Sequence, residues 1–375
     1  MARTLKILHI FGQMERGGAE LRTLDVMRNI DRNTHQLHFC ALSGRPGTLD
    51  QEICALGGVV HPIKLDLKFE RQFRDLLRKE QFDVVHSHVH LTSGYLLRLA
   101  DKERIPVRIA HFRNTFDGRK NTARRQIQHA LLHYWIDRHA TNILAVCEGA
   151  MQHAWGDRWQ QDSRCKIIYN GLDPASFLQP ADRTAVFQEF GLPDDSTLYI
   201  HIGRLVPQKN HLRLLDVFSA IASCDSNARL LIVGRGGNAI EANLRSMVYE
   251  RGLDAQVIFA GERKDVPRLL KAADLMIFPS QWEGLPGAVL EACAVGTPVL
   301  ASDLPGVMEI AVRLPLVHAM PLSASDAEWA DVARKLALPN QGSGVRARAI
   351  KAFLASGFTV EISANQHCLV WRGMC

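Results

Sequence analysis

The chain has 375 residues, too many for one ordinary core. Its 47% hydrophobic and 22% charged content is that of a soluble globular protein with two α/β domains of roughly 150–200 residues each. A net charge of +6 and a pI near 8.9 suit anionic small molecules or an acidic lipid surface, and are too diffuse to argue for nucleic acid.

Taken in order, Leu5 to Phe11 (LKILHIF) reads as a buried strand. It runs through Gly12, Arg16, Gly17 and Gly18 into a helix over about 19–29, so backbone amides at that turn can approach a bound group closely. The glycine spacing is not GxGxxG, which leaves no dinucleotide fingerprint. His35 to Leu42 and Val59 to Leu65 read as strands, Phe69 to Lys79 as a helix, Asp83 to His86 as a strand and 92–100 as a helix. His86, His88 and His90 would share one face of a strand, yet no carboxylate or cysteine accompanies them at ligand spacing, so no metal site is expected.

Val107 to Ala110 is the next strand, ending at His111 and the loop HFRNTFDGRK, which carries Arg113 and Asn114. Over 119–139 an apolar stripe (Ile127, Ala130, Leu131, Tyr134, Trp135) is flanked by Arg119, Lys120, Arg124, Arg125 and Arg138. The expected arrangement puts that stripe on the sheet and the arginines in water, with contact to anionic lipid as the alternative. Strands at 142–146 and 165–169 bracket a helix at 148–154, and Asn170, Gly171, Asp173 and Pro174 carry turn chemistry at the domain boundary.

The second half repeats the rhythm: strand 197–202, loop GRLVPQKN, helix 211–222, strand 229–233, then Gly234, Arg235, Gly236 and Gly237. Arg204 and Lys209 stand on a loop leading to a helix N-terminus, a plausible clamp for a diphosphate leaving group. A strand at 256–260, Gly261–Arg263 and a short helix at 265–271 follow. Leu275 to Phe278 is a strand, Pro279 to Pro286 a polar turn, and Gly287 to Ala294 a helix that stops at Gly296 and Pro298. Glu283 and Glu291 would repel a phosphate, so their better task is to accept hydrogen bonds from sugar or ribose hydroxyls. Another strand covers 298–302, and helices are expected over 324–336, 345–354 and the tail from 358.

Glu283, Gly284, Leu285, Pro286 and Glu291, framed by Phe-Pro-Ser and Gly-Thr-Pro-Val, resemble the Glu-x7-Glu signature of retaining glycosyltransferases of the GT-B fold, family 4. Gly17-Gly18-Ala19-Glu20, Asn170-Gly171-Leu172-Asp173, Gly203-Arg204-Leu205 with Lys209-Asn210, and Pro305, Gly306 and Glu309 are similar to further family segments, in the family's order. Arg235 departs from the small or acidic residue usual at its place, and the glycine turn expected within AVRLPLVHAM is missing.

The resemblance implies an α/β GT-B fold: two Rossmann-like domains, 1–175 on the acceptor side and 176–357 for the nucleotide sugar, with parallel sheets facing across a cleft. Residues 358–375 would pack back on the first domain. Arg204 and Lys209 would hold the donor diphosphate, Glu291 the ribose and Glu283 the sugar. His111 would contact the sugar near the reaction centre, with Arg113 and Asn114 of the same loop on the acceptor side. Gly17, Gly18, Gly234, Arg263 (main chain, near the base), Gly284 and Leu285 would complete the donor site.

The implied donor is a UDP-sugar, serving as substrate with no cofactor, and the implied acceptor a glycan or lipid-linked glycan. No Asp-x-Asp stands at a strand end to call for a metal. A nucleotide-sugar 2-epimerase, a non-catalytic nucleotide-sugar binder and, weakly, a dehydrogenase are the alternatives. The eight cysteines form no CxxC pair, which argues for buried, reduced thiols, and Ile7 to Phe11 is too short for a leader or membrane span. A cytoplasmic location, allowing peripheral contact with the inner face of the membrane, is expected.

Overall fold

The computed structural model describes residues 3–115, 122–337 and 343–374. The chain divides into two compact units, Met1–Gly171 with Val360–Cys375, and Leu172–Thr359. Each is a parallel sheet covered by helices, the arrangement that nearly continuous apolar strands separated by helical segments demand.

Unit 1 alternates β1 (Leu5–Phe11), α1 (Gly18–Asn29), β2 (His35–Ala41), α2 (Asp50–Ala55), β3 (Val59–Pro62), α3 (Phe69–Glu80) and β4 (Val84–Ser87). It continues with α4 (Ser93–Lys102), β5 (Val107–Phe112), α5 (Ala123–His139), β6 (Asn142–Ala145), α6 (Glu148–Trp155) and β7 (Cys165–Ile167). The sheet order is β3-β2-β1-β4-β5-β6-β7, all parallel, so strand order reverses between β1 and β4. Ligands of such sheets bind beyond the carboxyl ends of the strands at that reversal.

Unit 2 holds α7 (Arg183–Glu189), β8 (Thr197–Ile202), α8 (His211–Ala222), β9 (Ala228–Val233), α9 (Asn238–Glu250), β10 (Val257–Gly261), α10 (Val266–Ala272) and β11 (Leu275–Phe278). Then come α11 (Gly287–Val295), β12 (Val299–Ser302), α12 (Pro305–Ala311), β13 (Val317–Met320), α13 (Asp326–Ala337) and α14 (Ser343–Leu354). Its order, β10-β9-β8-β11-β12-β13, reverses between β8 and β11. The last helix, α15 (Val360–Trp371), returns to unit 1, where Ala364, Val370 and Trp371 join the core of Phe11, Leu24, Met27 and Phe39.

Three expectations change. The 86–90 segment is not one strand: β4 ends at Ser87 and His90 opens a 3-10 turn with its ring edge-on to Phe112. His86 and His88 therefore converge, ring centroids 4.3 Å apart, without His90. On α5 the apolar stripe does not lie on the sheet. Leu132 and Ile136 are buried, whereas Ile127 is 74%, Leu131 47% and Tyr134 60% exposed. The reason is that the apolar residues of α5 encircle it rather than line one side, and only one side meets α4. Arg119 and Lys120 lie outside the described residues. Finally, the described cysteines are free but not uniformly buried, Cys54 and Cys224 being exposed.

Candidate functional site

The loops that leave β8, β9 and β11 in unit 2 are tied to one another by backbone. Gly203 N donates to Val233 O at 2.9 Å and Leu205 N to Arg235 O at 3.0 Å, joining the first two loops. Gln281 N donates to Gln208 O at 2.9 Å, and Gln208 Nε2 to Trp282 O at 2.8 Å, joining the first and third. Gly234 sits at φ +147, where a Cβ would lie 1.9 Å from Gly203 O, so only glycine allows this approach.

Within that frame the stem of Lys209 lies against Gly203, and Asn210 adopts the left-handed conformation (φ 55) that turns the chain into α8. Lys209 Nζ reaches Glu283 Oε1 at 2.6 Å and lies 4.5 Å from the centroid of the Phe278 ring. Both partners are largely buried, their side chains 14% and 9% exposed. A cation and a carboxylate from loops 74 residues apart thus meet at the reversal between β8 and β11. Arg204, on the same loop as Lys209, is exposed and forms no ion pair among the described residues.

Gly284 and Leu285 are buried behind Glu283, and Glu291 is half-buried in the second turn of α11. Gly306, at the start of α12, presses on this loop: a Cβ there would stand 1.8 Å from Gly284 O. Gly306→Ala is therefore expected to displace the Glu283–Gly284 segment, costing about 2 kcal/mol of stability. Urea unfolding of unit 2 checks this, and an unchanged midpoint would show that the contact relaxes freely. Arg263 has its guanidinium committed elsewhere, to Asp265 at 2.8 Å and Glu189 at 2.8 Å.

In unit 1, Gly17 is the N-cap of α1 and Gly18 its first residue, beyond the end of β1. A buried histidine cluster fills the reversal between β1 and β4. Trp371 Nε1 donates to His86 Nδ1 at 3.2 Å, and an indole can only donate. The single proton of neutral His86 therefore sits on Nε2 and is donated to His111 Nδ1 at 3.0 Å, leaving His111 protonated on Nε2. By the same logic Arg113 Nε donates to His88 Nδ1 at 3.3 Å, His88 Nε2 to His9 Nδ1 at 3.0 Å, and His9 carries its proton on Nε2. His367 donates from Nδ1 to Ser363 O at 2.7 Å. Burial holds all five imidazoles below the ordinary histidine range, His367 at about 4.

Two triplets, His9–His86–His88 and His86–His111–His367, bring ligand atoms within 4.8 Å of one another. Their chemistry does not favour a dication. No carboxylate or thiolate belongs to either triplet, the Trp371 and Arg113 donors occupy Nδ1 of His86 and His88, and the Arg113 cation adjoins them. His111, 1% exposed, is part of this buried network. Arg113 is half-buried and Asn114 exposed.

Residues 16–176 match Glycosyltransferase Family 4, and residues 182–314 match Glycosyl transferases group 1. The capsular polysaccharide biosynthesis glycosyltransferase CapH of Staphylococcus aureus is 33% identical over 305 residues, covering 80% of this chain and 82% of CapH. The chain belongs to the group 1 glycosyltransferases.

EpsF of Bacillus subtilis, a putative glycosyltransferase, is 27% identical over 88% of both chains. An Escherichia coli UDP-Gal:alpha-D-GlcNAc-diphosphoundecaprenol alpha-1,3-galactosyltransferase is 28% identical over 64% of this chain and 61% of its own. Among solved structures, Anabaena HepE in complex with UDP-glucose superposes with a TM-score of 0.82 at 20% identity, covering 98% of this chain and 100% of HepE. That likeness establishes the GT-B fold for this glycosyltransferase.

The sequence reading of this glycosyltransferase missed His9, Thr23, His367 and Trp371, all of which converge with Arg113 in unit 1. Their positions, spread from 9 to 371, carry no spacing signal. The one clue was that the apolar strands β1, β4 and β5 each carry a histidine near their carboxyl end: His9, His86 and His111.

Proposed function

We propose that the chain moves a sugar, with retention of anomeric configuration, from a UDP-sugar to a glycan or lipid-linked glycan in cell-surface polysaccharide synthesis. The observation that carries this reading is the buried Lys209–Glu283 pair, at 2.6 Å, at the strand-order reversal of unit 2. Lys209 and exposed Arg204 supply positive charge for the diphosphate as it departs. Glu283 accepts from the sugar hydroxyls once Lys209 turns to phosphate, and Glu291 accepts from the ribose. Gly203, Gly234 and Gly284 let backbone approach the ligand, and the main chain at Arg263 lies near the base.

In this reading Gly17 and Gly18 offer α1 amides to the donor from unit 1, and His111 serves near the sugar with Arg113 and Asn114 on the acceptor side. Fixed cations do the work a divalent metal does elsewhere, so the transfer is read as metal-independent. CapH supports a polysaccharide product, the complexes of HepE support UDP, and the Escherichia coli relative supports a lipid-linked acceptor. The exposed Ile127, Leu131 and Tyr134 beside exposed Arg124 and Arg138 support peripheral contact of α5 with anionic lipid. No described helix is long and apolar enough to cross a membrane.

A panel of nucleotide sugars tests the proposal by thermal shift, since a ligand bound only by the folded state raises the melting temperature. One UDP-sugar is expected to stabilise the protein, and Glu291→Gln to weaken it about tenfold through the lost charged acceptor. A panel without any stabilising member overturns the reading. NMR of the product then separates transfer from epimerisation.

A further inference from the structure

Arg113 sits among five neutral imidazoles at the reversal of the unit 1 sheet, and its hydrogen bonds go to uncharged groups. It donates to His88 Nδ1 at 3.3 Å, Asn170 Oδ1 at 2.8 Å and Thr23 Oγ1 at 3.4 Å. Among the described residues no carboxylate lies within ion-pair distance of it, and Glu20 acts on it only through space. Burial holds its pKa down at about 10, so it remains a cation at neutral pH. A desolvated cation hydrogen-bonded only to neutral groups, with the Glu20 carboxylate acting on it only from a distance, is costly, and an anion bound beside it offsets that cost.

A second observation points to the same ligand. His9 is 1% exposed, and its Nε2, which the network leaves protonated, has no hydrogen-bond partner although His9 lines the pocket beside Arg113. A second guanidinium, that of Arg22, lines the pocket as well, held by Asp25 at 3.2 Å and contributing N–H donors rather than net charge. Two guanidinium groups and an imidazole N–H are donors, which is what phosphate oxygens require.

We propose that unit 1 carries an anion pocket, walled by Arg113, Arg22, His9, Thr23, Asn170 and His367, that takes a phosphate group of the acceptor. The assignment of that phosphate to the acceptor rests on the reading of unit 1 as the acceptor side. The pocket itself rests only on unit 1. Its void is water-sized, about 10 Å³, so seating a phosphate requires one of the two arginine side chains to swing. Arg113 is the group that gives the ligand its charge preference, and His9 fixes one oxygen.

The test titrates the whole chain separately with inorganic phosphate, with pyrophosphate and with phosphatidylcholine vesicles containing polyprenyl phosphate, against plain phosphatidylcholine vesicles. UDP is titrated in parallel. A phosphate-bearing probe at ten times its dissociation constant is expected to raise the melting temperature by about 2–4 °C. Arg113→Gln abolishes that shift and keeps the UDP shift. A response to inorganic phosphate or pyrophosphate identifies the group alone as sufficient, and a response to the doped vesicles only identifies a lipid-borne phosphate; either supports the pocket. No response in any phosphate arm, or a shift that survives in Arg113→Gln, overturns it.

A lost UDP response in the wild type would instead fail the donor reading, leaving the pocket to be judged by its own arms. Should Arg113→Gln not fold, ring 15N spectra of wild-type histidines decide: phosphate must move the His9 and His367 signals, and unmoved signals overturn the proposal.

Discussion

Lys209→Met is expected to lower kcat/KM for sugar transfer by about 10²–10³. It is also expected to lower stability by about 3 kcal/mol, because it strips a buried carboxylate of its cation. The two effects have different origins and can be separated. Lys209 Nζ and Glu283 Oε1 are 2.6 Å apart with little exposure, so removing either partner leaves the other desolvated and poorly paired. Replacing both, as Lys209→Met with Glu283→Leu, removes the buried charge that either single change leaves without its ion-pair partner and should restore most of the stability. Activity should not return, since both the diphosphate cation and the sugar acceptor are gone. Urea midpoints and initial rates on the two single variants and the double variant complete the cycle. A double variant as unstable as either single one would show that packing, not charge, dominates here.

Acidification from pH 7 to pH 5 is expected to unfold unit 1 while unit 2 keeps most of its structure. Burial depresses the folded-state pKa of His9, His86, His88, His111 and His367 below the value of about 6.5 for an unfolded chain. Below pH 6.5 the unfolded chain therefore binds protons that the folded one refuses. Stability present above pH 6.5 is lost as pH falls towards the folded values, about 4 for His367. At pH 5 each imidazole can contribute about 2 kcal/mol to unfolding, and five together approach the whole stability of an ordinary domain.

His35, His38 and His61 shift in the same direction within unit 1, whereas unit 2 has His201 and His211 as its strongly depressed pair and His318 as a lesser one. Hydrogen exchange followed by mass spectrometry resolves the two units. Equal protection in both at pH 5 would mean that the cluster takes up protons without opening.

Much of the architecture was legible because the strands are continuous apolar runs: LKILHIF, TLYIHI and LMIF carry the same bounds in the sequence reading and the structure. Elements without that signal escaped. α9 buries only Leu244 and Val248 among its thirteen residues, α12 opens on Pro-Gly and looks like a turn, and β13 is four residues long. Glu283, Lys209 and the glycines around them were legible because each stands within a short contiguous motif. That Lys209 and Glu283 stand beside each other followed only from the family resemblance, because no local pattern joins two loops separated by three strands of sequence. The histidine network was hidden for a related reason: its tautomers are set by Trp371 and Arg113, which no local pattern connects to β4.

Because α15 belongs to unit 1 but follows unit 2 in the chain, the order of synthesis matters. A ribosome delivers β1 to β7 long before Trp371, so His86 spends most of translation without its indole donor and the core around Phe11 and Phe39 without its final layer. Unit 2, contiguous from Leu172 to Thr359, can finish first. Nascent chains halted before residue 360 should thus resist protease in their second half and remain cleavable in their first.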